Sequence, residues 1–198
     1  MHLEPAMSDD LPALHALIES AYRGASARLG WSHEADLLEG QRTDLAALET
    51  MLDDPNQHLL VFRDNELLRA CVALSDKGEG LVYLGMLTVD PRQQAAGLGR
   101  LILAAAEEHA AAFGAKRVEM TVIVQREELI AWYERRGYAC TGERRPFPHG
   151  DPRFGLPRRR DLEFVVMEKR LVVAEFGCED TKHHPVSERA DNRQAKHP

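Results

Sequence analysis

The 198-residue chain lacks the features that mark exported, membrane and nucleic-acid-binding proteins. Its three cysteines, Cys71, Cys140 and Cys178, are an odd and widely spaced set. Such a set does not make a disulfide framework and reads as buried or free thiols in a reducing compartment. Cys178 with His183 and His184 has no second ligand pair, so no metal is expected. No apolar run approaches the roughly 18 residues of a membrane span. The opening MHLEPAMSDD carries acid where a secretory signal has an apolar stretch. There is no excess of positive charge either. Lys plus Arg number 25 against 32 Asp plus Glu, a net charge of -7, which gives no electrostatic grip on nucleic acid or anionic lipid. The expectation is a soluble cytoplasmic protein with neither nucleic acid nor membrane as partner. Its length suits one domain, or one domain plus a tail.

What is present is an ordered series of strand and helix patterns. LEPA and then SDDLPALHALIESAYR read as a short strand and an amphipathic helix, with Leu11, Leu14, Leu17, Ile18 and Tyr22 on or near one face. GASARLGWSHEADLLEGQ breaks the period, RTDLAALETMLDD restores it up to Pro55, and HLLVF with ELLRACVAL forms a hairpin about RDN. GLVYLGMLTVD is apolar on both faces, the mark of a strand inside a sheet. A glycine-mouthed helix, the strand RVEMTVIV, the helix REELIAWYERRG and the strands YACTGE and LEFVVMEKRL follow. The last two flank the loop RRPFPHGDPRFGLPRRRD. The order is β-α-α-β-β-β-α-β-α-β-β. Residues 1–176 form the expected domain, and the polar, aperiodic residues 177–198 a tail.

Two glycines stand one residue apart where VDPRQQAAGLGRLILAAAEEH opens its helix. A helix N-terminus presents unpaired N–H groups and a positive partial charge, and glycines let a phosphate approach them. The nucleoside-triphosphate loop requires Gly-Lys-Ser/Thr, but Gly99 is followed by Arg100 and Leu101. The dinucleotide fingerprint requires a third glycine where Ile102 stands. A third pattern, Gln/Arg-x-x-Gly-x-Gly/Ala, fits Gln94, Gly97 and Gly99, trailed by Arg100. Downstream, LIAWYERRGY places an aromatic pair on a helix and Gly-aromatic at the next strand.

With these two motifs the sequence resembles the GNAT superfamily of acetyl-CoA-dependent N-acyltransferases, over roughly Leu3 to Leu171. The resemblance implies an α/β fold: a central mixed, mostly antiparallel twisted sheet of six to seven strands, flanked by about four helices and splayed at a parallel strand pair. It implies acetyl-CoA as co-substrate, with its pantetheine arm along Leu87, Thr88 and Val89. The pyrophosphate would sit on Gln94, Ala95, Ala96, Gly97, Leu98, Gly99 and Arg100. Tyr133 matches the tyrosine that donates a proton to the departing thiolate. A core aromatic is the competing reading, since Leu129, Trp132, Tyr133 and Arg136 share a helical face. Arg126 stands where relatives commonly place a cofactor-binding Asn, and is a candidate cofactor contact.

Relatives often carry a Glu as general base on the strand occupied here by YLGMLTV, which has Gly85 and Met86 at its middle. Candidate acids elsewhere are Glu119, Glu34 and Asp36, with a water relay as alternative. Trp31, Glu34, Asp36 and Glu119 are the candidate acceptor-binding residues, and the acidic and aromatic set Trp31, Glu34 and Asp36 favours a cationic amine. Trp31 reads equally as a cap on the core edge. No cysteine falls in either motif, so direct attack in a ternary complex is expected rather than an acyl-enzyme, and packing is the expected role of Cys71 and Cys140. The expected partner is a small-molecule or peptide amine, and a homodimer is compatible with the sequence. A non-catalytic acyl-CoA sensor on the same fold is the competing function.

Overall fold

GLVYLGMLTVD becomes β5 (Leu81–Val89), the middle strand of a seven-stranded sheet, where both faces are covered and an apolar residue suits either side. The computed structural model describes residues 2–94, 97–151 and 154–172. The proposed domain boundary at 176, the tail, Cys178, His183 and His184 lie outside them, as do Ala95 and Ala96.

Around β5 the chain lays down β1 (Glu4–Pro5), β3 (Gln57–Asp64), β4 (Leu67–Asp76), β6 (Arg117–Ile123), β7 (Ala139–Pro146) and β9 (Glu163–Arg170). The spatial order is β1-β3-β4-β5-β6-β9-β7. Every neighbouring pair is antiparallel except β5 and β6. Asn65 and Glu66 turn β3 into β4 with positive φ at both positions, the backbone that a tight hairpin matched to strand twist requires.

Helices cover both faces. α1 (Leu11–Tyr22) and α3 (Leu45–Asp53) lie on one, where Leu14, Ile18 and Leu48 join Val61, Cys71 and Met86 in one apolar cluster. Asp44 caps α3 by accepting from the Ala47 amide at 2.8 Å. α4 (Leu98–Ala112) covers the other face with Ile102, Leu103, Ala106 and Ala110, and joins Val72, Leu74, Val82 and Val118 in the larger cluster. The small alanines let the helix lie close on the sheet. α5 (Glu127–Glu134) follows β6 and adds Tyr133 to that cluster.

The structure departs from the expected order in the two irregular segments. α2 (Gly24–Ala27) and β2 (Leu38–Glu39) lie within GASARLGWSHEADLLEGQ, and β8 (Leu156–Pro157) lies in the Pro- and Arg-rich loop. β2 and β8 pair antiparallel, so the two segments form one small sheet of their own. Beneath it Leu38, Ile123, Phe147 and Leu162 make a third apolar cluster. Strands of two residues carry no periodicity, which is why the sequence pattern missed them. Cys71 is fully buried, as expected of packing, whereas Cys140 is exposed, because β7 is the edge strand and offers its side chains no cover.

Candidate functional site

The site begins where the sheet comes apart. β5 and β6 pair through Leu81, Val82 and Tyr83 with Arg117, Val118 and Glu119. Beyond Tyr83 both strands run on without pairing to each other. β5 also bulges against β4: the register shifts between Cys71 and Ala73, opposite Met86, whose φ is +48°. A non-glycine residue in that region costs on the order of 1 kcal/mol and persists only where its surroundings hold it. Past the bulge, two carbonyls that β6 would otherwise serve find side chains. The Tyr22 hydroxyl donates to Leu87 O at 3.0 Å, and Gln94 Nε2 donates to Val89 O at 3.2 Å.

One end of the gap is a cavity of about 240 Å³ lined by Trp31, Leu87, Val89, Gln94, Gly97, Gly99, Arg100, Arg126, Trp132, Tyr133 and Arg136, among others. Gly97 is the N-cap of α4 with φ +81°, a left-handed conformation that glycine adopts without penalty. That turn aims the first amides of a 15-residue helix, the positive end of its dipole, at the cavity. Gly99 keeps the wall open: a Cβ there would meet Trp132 at 3.6 Å and Val89 at 3.8 Å. Arg136 lies over the Trp132 ring, 3.6 Å from its centroid. Its own charge is disfavoured by burial and by the cations Arg135 and Arg100. An arginine-rich cavity at a helix start is built to receive an anion.

Gln94 has a second duty. Its Oε1 accepts from the amides of Trp31 at 3.1 Å and Ser32 at 3.3 Å, which ties the irregular segment to the end of β5. Gly30 packs so closely on this carboxamide that a Cβ would come within 2.5 Å of it. Trp31 is thereby held 6.0 Å from Trp132, ring to ring.

The gap continues into a chamber of about 130 Å³ lined by Tyr22, Glu34, Arg42, Met86, Leu87, Arg126, Tyr133, Phe154 and Phe164, among others. Tyr22, Leu87, Arg126, Leu129 and Tyr133 line both spaces. Tyr133 is 6% exposed, and burial first, then the Tyr22 hydroxyl, push its pKa above the ordinary tyrosine value. Glu34 is the one acid among the residues lining the chamber. It bonds Arg23 at 2.6 Å and lies 3.6 Å from Arg126. Burial would raise its pKa, but Arg42, Arg23 and Arg126 outweigh burial and hold the carboxyl below its ordinary value. A carboxylate so stabilised is a poor base.

The other predicted residues disperse. Thr88 is buried with its hydroxyl on Met86 O, and Leu98 packs into the larger core, so neither lines the cavity. Asp36 is an exposed partner of Arg28, outside both spaces. Glu119 accepts from Arg145 at 2.9 Å and lines, with Lys77, an adjoining opening that shares Tyr83, Thr121, Phe154 and Phe164 with the chamber. Trp31 and Asp36 line a further opening with His33 and Arg126, while Glu34 lines the chamber, so the three do not line one space. Burial raises the Cys71 thiol to about 12, and neither Cys71 nor Cys140 lines the cavity or the chamber. Sequence reasoning did not name Tyr22, Arg23 or Arg42 as site residues, and it gave Arg136 only a place on the helical face of Tyr133. Tyr22 reads as a core position of an amphipathic helix, and a lone arginine far from its partner in sequence gives no signal.

The fold recurs among solved acetyltransferases. The ribosomal-protein-S18-alanine N-acetyltransferase from Escherichia coli superposes with TM-score 0.62 at 16% identity, over 85% of this chain and 92% of that one. The ribosomal-protein-alanine N-acetyltransferase from Brucella melitensis gives 0.64 at 18%, over 86% and 100%. An aminoglycoside 6'-acetyltransferase type Ii gives 0.61 at 15%, over 87% and 98%. A comparison with curated proteins finds no match. The family model "Acetyltransferase (GNAT) family" matches residues 13–138, from within α1 to the start of the strand after α5, and so takes in the splayed strands, the Gly97 turn and Tyr133. The chain belongs to the GNAT acetyltransferase family.

Proposed function

We propose that the protein is an acetyl-CoA-dependent N-acetyltransferase that acts on a primary amine by direct attack in a ternary complex. One observation carries this reading: Tyr133 borders both the anion-receptive cavity and the chamber beyond it. A group there can hold a proton between a cofactor on one side and an acceptor on the other. When bound, acetyl-CoA supplies an acyl carbon with a thiol leaving group. The amides at Gly97 and Gly99, with Arg100 and Arg136, suit its phosphates. The backbone from Leu87 to Val89, unpaired with β6, suits an arm laid along it as an added strand. A backbone N–H there can also stabilise an oxyanion, which is typically worth ~3 kcal/mol per donor. Arg126 lines both spaces and is held by Glu34, so its part is to form their shared wall.

Among the described residues lining the chamber, the one acid, Glu34, offers little help with the amine. An alkyl amine of pKa about 10 is mostly protonated at neutral pH. Glu34 is tied to arginines, so the proton must leave through water or the amine must shed it on desolvation. The structural neighbours act, by their titles, on ribosomal-protein alanine and on aminoglycosides, so peptide and small-molecule amines both belong in the test. Release of coenzyme A thiol from acetyl-CoA over a panel of amino acids, amides, polyamines, aminoglycosides and peptides measures the activity. Turnover with any amine supports transfer. Tight coenzyme A binding with no turnover across the panel overturns it in favour of an acyl-CoA sensor.

A further inference from the structure

From the charges around the chamber we infer that the acceptor is a small amine that also carries a carboxylate, such as an α-amino acid with an apolar side chain. The inference rests on the acetyltransferase reading above and adds the substrate class.

The chamber wall bears three ionic groups, Glu34, Arg42 and Arg126. Glu34 is already satisfied, bonded by Arg23 at 2.6 Å with Arg126 at 3.6 Å. Arg23 is itself buried, and it too takes its ion pair from Glu34. One carboxylate thus stands against three guanidinium groups, two of them on the wall. Arg42 is the one left over. Its main-chain amide donates to Glu19, but among the described residues its guanidinium has no ion pair or hydrogen bond. It rests on the Tyr22 ring, 5.2 Å from the centroid. That ring's hydroxyl is bonded to Leu87 O, so one ring links Arg42 to the strand along which the acyl arm is proposed to lie, and both line the chamber. A guanidinium on the wall of a narrow space that rests on a ring and faces Glu34 only through space, without a hydrogen bond to it, retains its hydrogen-bonding fork for a ligand.

The remaining wall selects further. Met86, Ile123, Phe154 and Phe164 are apolar, and the chamber, at about 130 Å³, falls well below the ~300–1,000 Å³ of sites for drug-sized ligands. A compact acceptor fits, with its carboxylate on Arg42, its apolar group against these side chains and its amine toward Tyr133. A diamine or aminoglycoside would bring a second cation to a wall of net positive charge, and a peptide N-terminus would bring no carboxylate. The inference runs against the sequence-based preference for a cationic acceptor, because Glu34 is paired with arginines that sequence spacing does not reveal.

The test compares matched acceptors: leucine, methionine and phenylalanine, each against its amide and its decarboxylated amine. The free acids should be at least tenfold better in kcat/KM. Arg42→Gln should raise KM for the acid by tenfold or more and abolish the preference, with KM for acetyl-CoA unchanged, and Arg42→Lys should restore part of it. Equal or better use of the amides, or a preference that survives Arg42→Gln, overturns the inference. Where no acceptor turns over, calorimetry of the N-acetyl amino acids and their amides on the coenzyme A-loaded protein decides. Binding of the acids alone supports the carboxylate seat, and binding of neither, or of both equally, overturns it. A wild-type protein that does not bind coenzyme A at all would instead overturn the acetyltransferase reading.

Discussion

At Tyr133 two demands compete, since a proton donor should be acidic enough to give up its proton and a core ring should be dry. Burial pushes its pKa above the ordinary value, so the hydroxyl keeps its proton throughout the physiological range. As the proposed donor it is then a weak acid for a thiolate of pKa near 8.5, and its help should be limited to roughly 10²-fold or somewhat less. Tyr133→Phe retains the ring and its edge contacts with Trp132 and Tyr138. Steady-state kinetics should show kcat lowered by about that factor, with coenzyme A affinity and Tm nearly unchanged. A loss confined to Tm would make Tyr133 a core aromatic. Asp10, at the start of α1, gives a second residue-scale prediction. Burial works to raise its pKa, but the Met7 amide and Arg63, at 2.8 and 2.6 Å, lower it overall. A carboxyl depressed in the folded state adds stability above its unfolded pKa of about 3.9, and that stability fades as pH falls through the lower folded value. Asp10→Asn should therefore cost about 1 kcal/mol at pH 7, discounted for the partly exposed Arg63. The gap to wild type should close below pH 4 in denaturant titrations.

At the scale of elements, the turn into α4 separates two glycines that the motif treats alike. Gly97 needs a positive φ but has open space where a Cβ would go, whereas Gly99 has no such φ but faces Trp132 and Val89. Gly97→Val should strain the helix start by roughly 1–2 kcal/mol, read as a lower Tm. Gly99→Val should leave Tm nearly intact and weaken coenzyme A binding at least tenfold by calorimetry, because the side chain narrows the cavity itself. Equal effects in both assays would remove the distinction. The same turn shows what the sequence makes legible. Strand, turn and helix are contiguous, so periodicity and two glycines suffice to find β5, α4 and the anion-receptive end between them. The opposite wall is assembled from residues far apart: Gln94 holds Trp31, Arg126 and Arg23 hold Glu34, and β2 finds β8 more than a hundred positions away. Such pairings are set by how the sheet folds over. No local pattern encodes them, so the ion pairs that occupy Glu34 were not legible in the sequence.

The molecule as a whole is divided by its site. β1, β3, β4 and β5 with α1 and α3 form one part, and β6, β7 and β9 with α5 the other. Across the sheet they share three residue pairs between β5 and β6. The junction also takes in α4 lying on the sheet, the Tyr83–Thr121 hydrogen bond, the β2–β8 pairing with the cluster beneath it, the Glu34–Arg126 ion pair and Trp31 against Trp132. A ligand in the gap would touch β5 and the start of α4 on one side and α5 on the other, contacts that vanish on unfolding. Binding to the folded state alone stabilises by RT ln(1 + [L]/Kd), roughly 2.7 kcal/mol at a hundredfold excess over Kd. At ~2–4 °C per kcal/mol for a chain of this size, coenzyme A at that excess should raise Tm by roughly 5–10 °C. The rise should grow with the logarithm of ligand concentration. Gly99→Val, whose fold is intact and whose cavity is narrowed, should show a rise several degrees smaller at the same concentration. A Tm indifferent to coenzyme A in the wild type, or an equal rise in both proteins, would mean that the gap between β5 and β6 is not where the cofactor binds.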